Sequence, residues 1–507
     1  MFRTRFVAVA ALAVAVLIPA GWRLANGEEA ANSELIKMIG DLLTGDDRDM
    51  RALGLQQVRE ESPGEAATLE FASLLPKLKP EVQSGLLEAL GDRGDRAARP
   101  AVLQMISSDQ DLVRAAAIQA MGALGTEEDI PMLAEKTAAK AKGDSDAARS
   151  SLVRMRGEKV NAAILAALAK SSPPSRAVLL NVLAARNAKE AVPAVLEQAG
   201  DKDPQVRSAA LDALRQLADV PNTEALVVLV KGAASPEMLL RAELALRTVC
   251  GRGRDACVAP ILAARKGAKP EADIVLLRAL ARAGGAKALE AISAESNSTN
   301  DQIRNEAVRL VCNWPDPSVT PTLLQLAAGG KDLRTRVLAI RGLVRMAAAT
   351  ADGATDVELL KKTLSLSNRA AEKRLVLGTL GNSASPAALH AATLLASDPE
   401  VGQEAALAMT LVAEKMPPAD LASLSTQEKV AVIFGLGNRS TLEAFRAAAS
   451  LLDDPNLGND AAKAAAQIAE KLSVEDIASI SETLTKISQS AKDPTLRDRI
   501  KAALERK

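Results

Sequence analysis

The feature that most constrains the fold of this chain is one apolar pattern that recurs along it. Two distant segments carry apolar residues at offsets 0, 3, 4, 7, 8 and 11, which is the spacing of one face of an α-helix. These positions are Val113, Ala116, Ala117, Ala120, Met121 and Leu124 in one segment, and Val206, Ala209, Ala210, Ala213, Leu214 and Leu217 in the other. Each stripe begins at a Val-Arg pair a few residues after an acidic turn. Recurrence at a period of about thirty residues predicts an array of stacked helix pairs.

The same pattern predicts where the second helix of each pair lies. The predicted starts are near Met50, Val82, Val113, Ala148, Arg176, Val206, Leu240, Asp273, Ile303, Thr335, Lys373, Gln403, Glu428, Asp460 and Pro494. Most steps are about 28 to 35 residues, which fits two helices of three turns and two short connections. The long step after Thr335 predicts a loop or joint at 347–355, between one array over 33–346 and a second over 357–507. Helices from Ser473 onward are polar, as the capping repeat of such an array requires.

Composition limits the classes of function. Lysine plus arginine and aspartate plus glutamate number 63 each, so the formal net charge is zero. Nucleic-acid binding requires a basic surface that releases counterions, and we therefore expect no nucleic-acid partner. Aromatic residues make up 1% of the chain, which argues against recognition by base stacking or aromatic cages. No segment alternates apolar and polar residues as a strand would, so the predicted fold class is all-α.

Residues 1–27 have the parts of an export signal. Arg3 and Arg5 precede an uninterrupted apolar run over 6–18, and a small-x-small cleavage site ends at Gly27. The run is shorter than the roughly twenty residues that a transmembrane helix needs. We expect a cleaved signal peptide and a periplasmic or secreted bacterial protein. The alternative is an uncleaved N-terminal anchor, and only then would the chain be attached to a membrane.

Two of the apolar stripes lie in a longer motif. Residues 203–214 have the pattern Asp-x-x-Val-Arg-x-x-Ala-x-x-Ala-Leu, and residues 111–121 match it nearly as well. The motif resembles a HEAT repeat of the short bacterial kind, which is also found in phycobilisome lyases. Residues 311–317, followed by 336–343, resemble the HEAT modules of exported bacterial proteins. Over most of residues 33–507 the resemblance implies an armadillo-like α-solenoid, a right-handed superhelix of about fourteen stacked helix pairs that serves as a scaffold for protein interactions.

Acidic and basic residues recur at the starts of the second helices. The pairs are Asp111 with Arg114, Asp203 with Arg207, and Asp301 with Arg304. One such pair in each of several repeats predicts a structural ladder that bridges adjacent turns along one edge of the array, and not a catalytic site.

The three cysteines allow two interpretations. Cys250 is predicted to end one helix and Cys257 to open the next, and export would permit a disulfide between them. Alternatively, both are small buried hydrophobic residues. Cys312 has no partner in either case.

Few residues could carry out chemistry. The single histidine, His390, lies in a predicted helix capped by Ser385, so a cluster of metal-binding histidines is excluded by number. Residues 251–256 fit a degenerate dinucleotide fingerprint but follow a helix, and their glycines predict a left-handed helix end. The acidic clusters at 46–49 and 453–456 are explained by capping of helix N-termini. We predict no catalytic, cofactor-binding or metal-binding residue, and no cofactor.

The leading functional hypothesis is an exported, non-catalytic scaffold, monomeric, that binds a protein partner along its concave face. One alternative is an accessory subunit of a sugar-degrading or electron-transfer complex. A second is a lyase-like HEAT protein that acts on a bilin or a similar prosthetic group. The export signal and the scarcity of aromatic rings argue against the lyase. The sequence does not identify the partner.

Overall fold

Helices form almost all of the regular structure. The computed structural model describes residues 25–330, 332–348, 354–417, 421 and 424–506. Within these ranges the regular elements are α-helices and short 3-10 turns, and no strand occurs, which confirms the all-α fold class. The predicted leader, up to residue 24, lies outside the described residues. The chain divides into two units, Met1–Gly253 and Arg254–Lys507, which we describe separately.

The first unit consists of seven helix pairs within its described residues. Its helices are α1 (Ala25–Thr44), α2 (Arg48–Glu60), α3 (Glu65–Ser73), α4 (Pro80–Arg93), α5 (Arg99–Met105), α6 (Asp111–Leu124), α7 (Ile130–Lys136), α8 (Lys142–Arg154), α9 (Val160–Leu168), α10 (Pro173–Ala185), α11 (Val192–Gln198), α12 (Pro204–Leu217), α13 (Thr223–Lys231) and α14 (Pro236–Gly253). The even-numbered helices are the second helices of the pairs. Each packs on its own first helix, and from α2 to α12 each also packs on the second helix of the next pair, so that the seven form a continuous layer.

The second unit has the same construction. Its helices are α15 (Val258–Arg265), α16 (Pro270–Ala283), α17 (Ala286–Glu295), α18 (Asp301–Cys312), α19 (Thr320–Gly329), α20 (Leu333–Ala348), α21 (Val357–Leu366), α22 (Ala370–Leu380), α23 (Pro386–Thr393), α24 (Gly402–Lys415), α25 (Thr426–Gly437), α26 (Leu442–Ala449), α27 (Gly458–Ala469), α28 (Val474–Ser490) and α29 (Pro494–Leu504). The second helices α16, α18, α20, α22, α24, α25, α27 and α29 stack in that order. Every predicted second-helix start lies in a different one of the second helices of the two units, so the second helices are placed along the chain as predicted.

The apolar stripes form the contacts between helices. All six residues of each stripe are buried, and Ala210 and Leu214 have no exposed surface. Small side chains let the helices approach closely but contribute little burial each, at about 0.8 kcal/mol per buried methylene. The stability of each unit is therefore spread over many thin interfaces.

Caps and prolines define the helix ends as predicted. Pro131 and Pro193 occupy the first turn of α7 and α11, where a missing N–H costs no hydrogen bond. Asp47 accepts hydrogen bonds from the N–H groups of Asp49 (2.8 Å) and Met50 (3.0 Å) at the start of α2. Ser385 likewise accepts one from Ala388 at the start of α23, at 3.3 Å.

Two segments differ from expectation or lie partly outside the described residues. At 251–256 the glycines were expected to adopt a left-handed conformation, but α14 continues to Gly253 and the residue with positive φ is Arg254, at 45°. Of the loop predicted at 347–355, residues 349–353 lie outside the described residues, while α20 extends to Ala348.

None of the helices in the described residues has the combination of length and hydropathy that a membrane span requires.

Candidate functional site

The three predicted Asp/Arg pairs share one contact that involves only the arginine. In each case an Nη1 donates to the backbone carbonyl oxygen six residues earlier: Arg114 to Ser108 (2.9 Å), Arg207 to Asp201 (2.8 Å) and Arg304 to Ser298 (2.9 Å). The side chain folds back over the turn that precedes its helix. These arginines therefore hold that turn in place.

The carboxylates of the pairs behave in two ways. Asp111 accepts from Arg114 at 2.6 Å, and Asp301 accepts from Arg304 at 2.5 Å, each three residues apart on one helix. Asp203 does not pair with Arg207. It lies outside the helix as the N-cap of α12 and accepts from the N–H groups of Gln205 (2.8 Å) and Val206. The spacing of four residues, with Pro204 between them, explains why this pair does not form.

One of the six residues also makes an ion pair with the next repeat. Arg114 on α6 donates from Nε to Asp144 on α8 at 2.5 Å, and the Asp144 side chain is almost completely buried. For Arg207 and Arg304, the hydrogen bonds within the described part of the chain go to residues of their own turns. The structure thus brings Asp111, Arg114 and Asp144 together.

All three cysteines are buried. Burial raises the pKa of the Cys312 thiol to about 12, although the charge of Arg345 acts in the opposite direction. A thiol with such a pKa is unreactive as a nucleophile at neutral pH. The disulfide between Cys250 and Cys257 stays a prediction.

His390 lies on the surface of α23 and does not belong to a cluster. Its Nδ1 is 2.9 Å from Oε1 of Glu428, whose side chain is buried at the start of α25. The other Glu428 oxygen accepts from the N–H and hydroxyl of Ser425, both at 2.7 Å. Burial opposes ionisation of Glu428, yet the hydrogen bonds from Ser425 and His390 outweigh it and lower its pKa. The described residues contain no group of three or more His, Cys, Asp or Glu side chains that could hold a metal ion.

A set of cations that the sequence did not reveal connects successive second helices. Each lies in the last turn of its own helix or just after it, and donates to backbone carbonyls at or near the C-terminus of the preceding second helix. Arg186, for example, donates to the carbonyl oxygens of Leu152 (2.8 Å), Val153 (2.9 Å) and Met155 (2.7 Å) at the end of α8. We call these residues the terminal cations: Arg93, Arg186, Arg252, Arg345, Lys415, Arg439, Lys471 and Arg506.

The terminal cations satisfy the carbonyls that every α-helix leaves without a partner at its C-terminus, where a positive charge also complements the helix dipole. Burial lowers the pKa of Arg93, Arg186 and Arg439 from the ordinary value, because it disfavours the charged form of the guanidinium group. A basic residue in the last turn of a helix, or within two residues after its end, was the available sequence signal. The signal does not show that the acceptor lies one repeat back.

Exposed large apolar side chains concentrate on the second helices. Nine of the fourteen among the described residues lie there: Met50, Leu53, Leu112, Leu240, Leu244, Leu333, Leu375, Leu407 and Phe434. A helix surface with several such residues is typical of an interaction site.

In the second unit, three consecutive second helices each present one of these side chains. Leu375 on α22, Leu407 on α24 and Phe434 on α25 are 39%, 59% and 61% exposed, and we call them the apolar strip. Arg374, next to Leu375, pairs with Glu404 at 2.6 Å, and Glu404 precedes Leu407 by one helical turn. This ion pair links α22 to α24.

A glycine next to Phe434 allows α25, the third helix of the strip, to pack closely against α24. A Cβ at Gly435 would lie 2.7 Å from the carbonyl carbon of Ala413, so α25 approaches the backbone of α24 more closely than any other residue would allow. Asn438 adds a hydrogen bond to Glu414 at 2.6 Å. The apolar strip therefore lies on rigid, closely packed helices.

The comparison with protein families agrees with this architecture over part of the chain. Residues 70–153 and 161–247 match the family model described as HEAT repeats. Over these two segments the chain consists of HEAT repeats, as the motif in the sequence predicted. A comparison with curated proteins gave no match.

Among solved structures, the chain is similar to karyopherins. Kap121p bound to Pho4p is 13% identical with a TM-score of 0.45, and the match covers 94% of this chain and 53% of that one. Kap121p bound to the extreme C-terminus of the protein phosphatase Cdc14p is 12% identical with a TM-score of 0.44, and the match covers 93% of this chain and 53% of that one. Kap95p in its complex with RanGDP is 13% identical with a TM-score of 0.39, and the match covers 93% of this chain and 82% of that one. The chain spans about half the length of Kap121p, and similarity at this level says nothing of function.

Proposed function

We propose that this protein is an exported, non-catalytic HEAT-repeat scaffold that binds a protein partner on the layer of its second helices. The observation that carries the proposal is the apolar strip of Leu375, Leu407 and Phe434. The proposal of export rests on the leader predicted over residues 1–27.

The strip has the properties of an interaction site. Covering apolar surface contributes about 25 cal/mol per Å² removed from water, so a partner that buries Leu407 and Phe434 gains affinity from both. A few central apolar or aromatic side chains commonly dominate the affinity of a protein interface. Because the three helices are packed against each other, the strip does not need to be ordered on binding. A protein surface is the partner that such a shallow, rigid and apolar face fits best.

The test uses the full-length protein in the cells that produce it. A photo-crosslinking amino acid placed at position 407 should capture one defined exported protein. Leu407→Asp and Phe434→Asp, examined with the crosslinker at Thr410, should each abolish capture while the fold is retained in circular dichroism. The matched control is Leu394→Asp, because Leu394 is 68% exposed but ends the first helix α23.

Capture that persists in both strip variants, or the absence of any captured protein, would contradict the proposal. Loss of capture in the Leu394→Asp variant would also contradict it, because the binding surface would then not be the layer of second helices. The identity of the captured protein decides between a scaffold and the accessory-subunit alternative: a sugar-degrading or electron-transfer enzyme would favour the latter.

A further inference from the structure

Three arginines lie on the same face of three consecutive second helices of the second unit, each two residues before a buried valine or leucine: Arg309 on α18, Arg341 on α20 and Arg374 on α22. Arg309 and Arg341 occupy one register position, because each is nine residues after the residue that caps the start of its helix, Asn300 or Asp332. Arg374 is five residues after the capping Arg369, so it lies one helical turn nearer the start of its helix. We call these three arginines the arginine row.

The stacking of these helices brings the first two positions side by side and places the third diagonally beside them. α18 packs on α20, and α20 packs on α22. A Cβ at Gly342, the neighbour of Arg341, would lie 3.2 Å from the carbonyl oxygen of Cys312, one turn beyond Arg309. Helices in contact lie about 8–10 Å apart, so the row spans about 20 Å.

The arginine row keeps a positive charge at its centre. Arg309 is 48% exposed although it pairs with Glu306, and Glu306 also binds Arg278 at 2.8 Å. Arg374 is 49% exposed and pairs with Glu404. Arg341, between them, is exposed and makes no ion pair with any residue that the structure describes. Its guanidinium group is therefore available to a carboxylate of a partner.

The apolar strip begins where the arginine row ends. Arg374 and Leu375 are adjacent on α22, so the row continues into Leu407 and Phe434 on the next two helices. The combined surface therefore offers bidentate donors for carboxylates at one end and apolar contact at the other.

We infer that this surface binds an acidic, amphipathic segment of the protein partner, with carboxylates on the arginine row and apolar side chains on the apolar strip; the inference rests on the proposed function. The row and the strip together cover five stacked second helices, α18 to α25, and therefore span about 32–40 Å. This length corresponds to about 21–27 residues of helix or 10–12 of extended strand. Nucleic acid fits the surface less well, because three arginines, two of them already paired, release few counterions.

The experiment measures capture through the crosslinker at position 407 and its dependence on salt. Arg341→Glu should reduce capture about tenfold, since it replaces attraction by repulsion at an exposed position. Arg341→Gln should reduce it less and should weaken its salt dependence. Lys362→Glu is the control of equal charge change, because Lys362 is exposed on the first helix α21. Leu407→Asp, with the crosslinker at Thr410, reports on the proposed function separately.

The outcomes separate the two proposals. If Leu407→Asp abolishes capture while Arg341→Glu leaves both capture and its salt dependence unchanged, the proposed function stands and the acidic segment is wrong. If the captured material is sensitive to nuclease, or the segment crosslinked is not acidic, the inference is also overturned. If Leu407→Asp has no effect, or nothing is captured, both proposals fail.

Discussion

Arg99 and Asp129 form a two-point ion pair between consecutive repeats. Nε of Arg99 is 2.8 Å from Oδ2 of Asp129, and Nη2 is 2.6 Å from Oδ1. Asp129 is only 5% exposed, and Oδ2 also accepts from the backbone N–H of Thr126 at 2.8 Å. Burial alone would raise the pKa of Asp129, but the hydrogen bonds from Arg99 and Thr126 outweigh it and lower the pKa below 3.8.

Asp129→Asn should lower the free energy of unfolding by about 2–3 kcal/mol at pH 7, because it leaves a partly buried guanidinium without its charge partner. Since the folded-state pKa of Asp129 is lowered, the ion pair stabilises the protein above pH 3.8 and ceases to do so as the pH falls through the folded-state value. Urea unfolding at pH 7 and pH 3 checks this. Glu128→Gln is the control, because Glu128 is 82% exposed and 3.9 Å from Arg99. An equal loss of unfolding free energy in Asp129→Asn at both pH values would contradict the prediction.

The capping role of the terminal cations can be tested at Arg345. Its Nη2 donates to the carbonyl oxygens of Cys312 (3.0 Å) and Trp314 (2.8 Å). Arg345→Gln should cost about 1–3 kcal/mol, because these acceptors lose a charged donor. Thermal unfolding and limited proteolysis near Asn313 measure the effect. Arg341→Gln on the same helix should leave both unchanged; equal effects of the two substitutions would exclude a capping role for Arg345.

The repeat register can be tested at Ala210. This residue is completely buried in the stripe of α12, so Ala210→Asp places a carboxylate in a helix interface without a partner. We expect a loss of about 3 kcal/mol or more and faster proteolysis of the neighbouring repeats. Ser208→Asp, at a partly exposed position of α12, is the control. Unchanged stability of Ala210→Asp would show that the register is wrong.

Two helical glycines provide a matched pair. Gly435→Ala should destabilise the protein by about 1–3 kcal/mol, because its Cβ would meet the backbone of Ala413 at 2.7 Å. In the described part of the chain, no atom of a neighbouring helix lies within 4 Å of the place that a Cβ at Gly378 would occupy. Gly378→Ala should therefore stabilise α22 by about 0.5–1 kcal/mol. Calorimetry of both variants shows whether their stability changes have these opposite signs. Stabilisation by Gly435→Ala would contradict the close packing of α24 and α25.

Thiol counting tests the cysteine predictions. In the denatured, unreduced protein, a bridge between Cys250 and Cys257 leaves one reactive thiol, and its absence leaves three. In the folded protein the thiol of Cys312 should react slowly even at pH 9, because its pKa is about 12. Alkylation followed by mass spectrometry gives both results. Rapid labelling of Cys312 in the folded state would contradict its burial.

Much of the fold could be predicted because its information is local. The stripes that begin at Val113 and Val206 depend only on the helical period, and a cap such as Asp47 acts on residues two and three positions away. The candidate site could not be predicted in the same way. Leu407 immediately precedes the buried Ala408, and only the position of α22 and α25 shows which of the two is exposed.

The terminal cations show a second limit of sequence analysis. Arg345 belongs to α20 by sequence, yet its acceptors end α18, about one repeat earlier. The failed pairing of Asp203 with Arg207 differs from the pair of Asp111 and Arg114 by one residue of spacing. The contacts of the terminal cations can be predicted only when the stacking of the repeats is known. The Asp/Arg pairs can be predicted only when the exact residue at which each helix begins is known.

The terminal cations also affect how the protein can be engineered. A fragment that ends with α18 would lack Arg345 and would expose the carbonyls of Cys312 and Trp314. One that extends through α20 would keep them covered. For grafting, duplication or circular permutation, the transferable module is therefore a helix pair together with the end of the second helix that follows it, and cuts placed at the sequence repeat would yield modules with frayed ends.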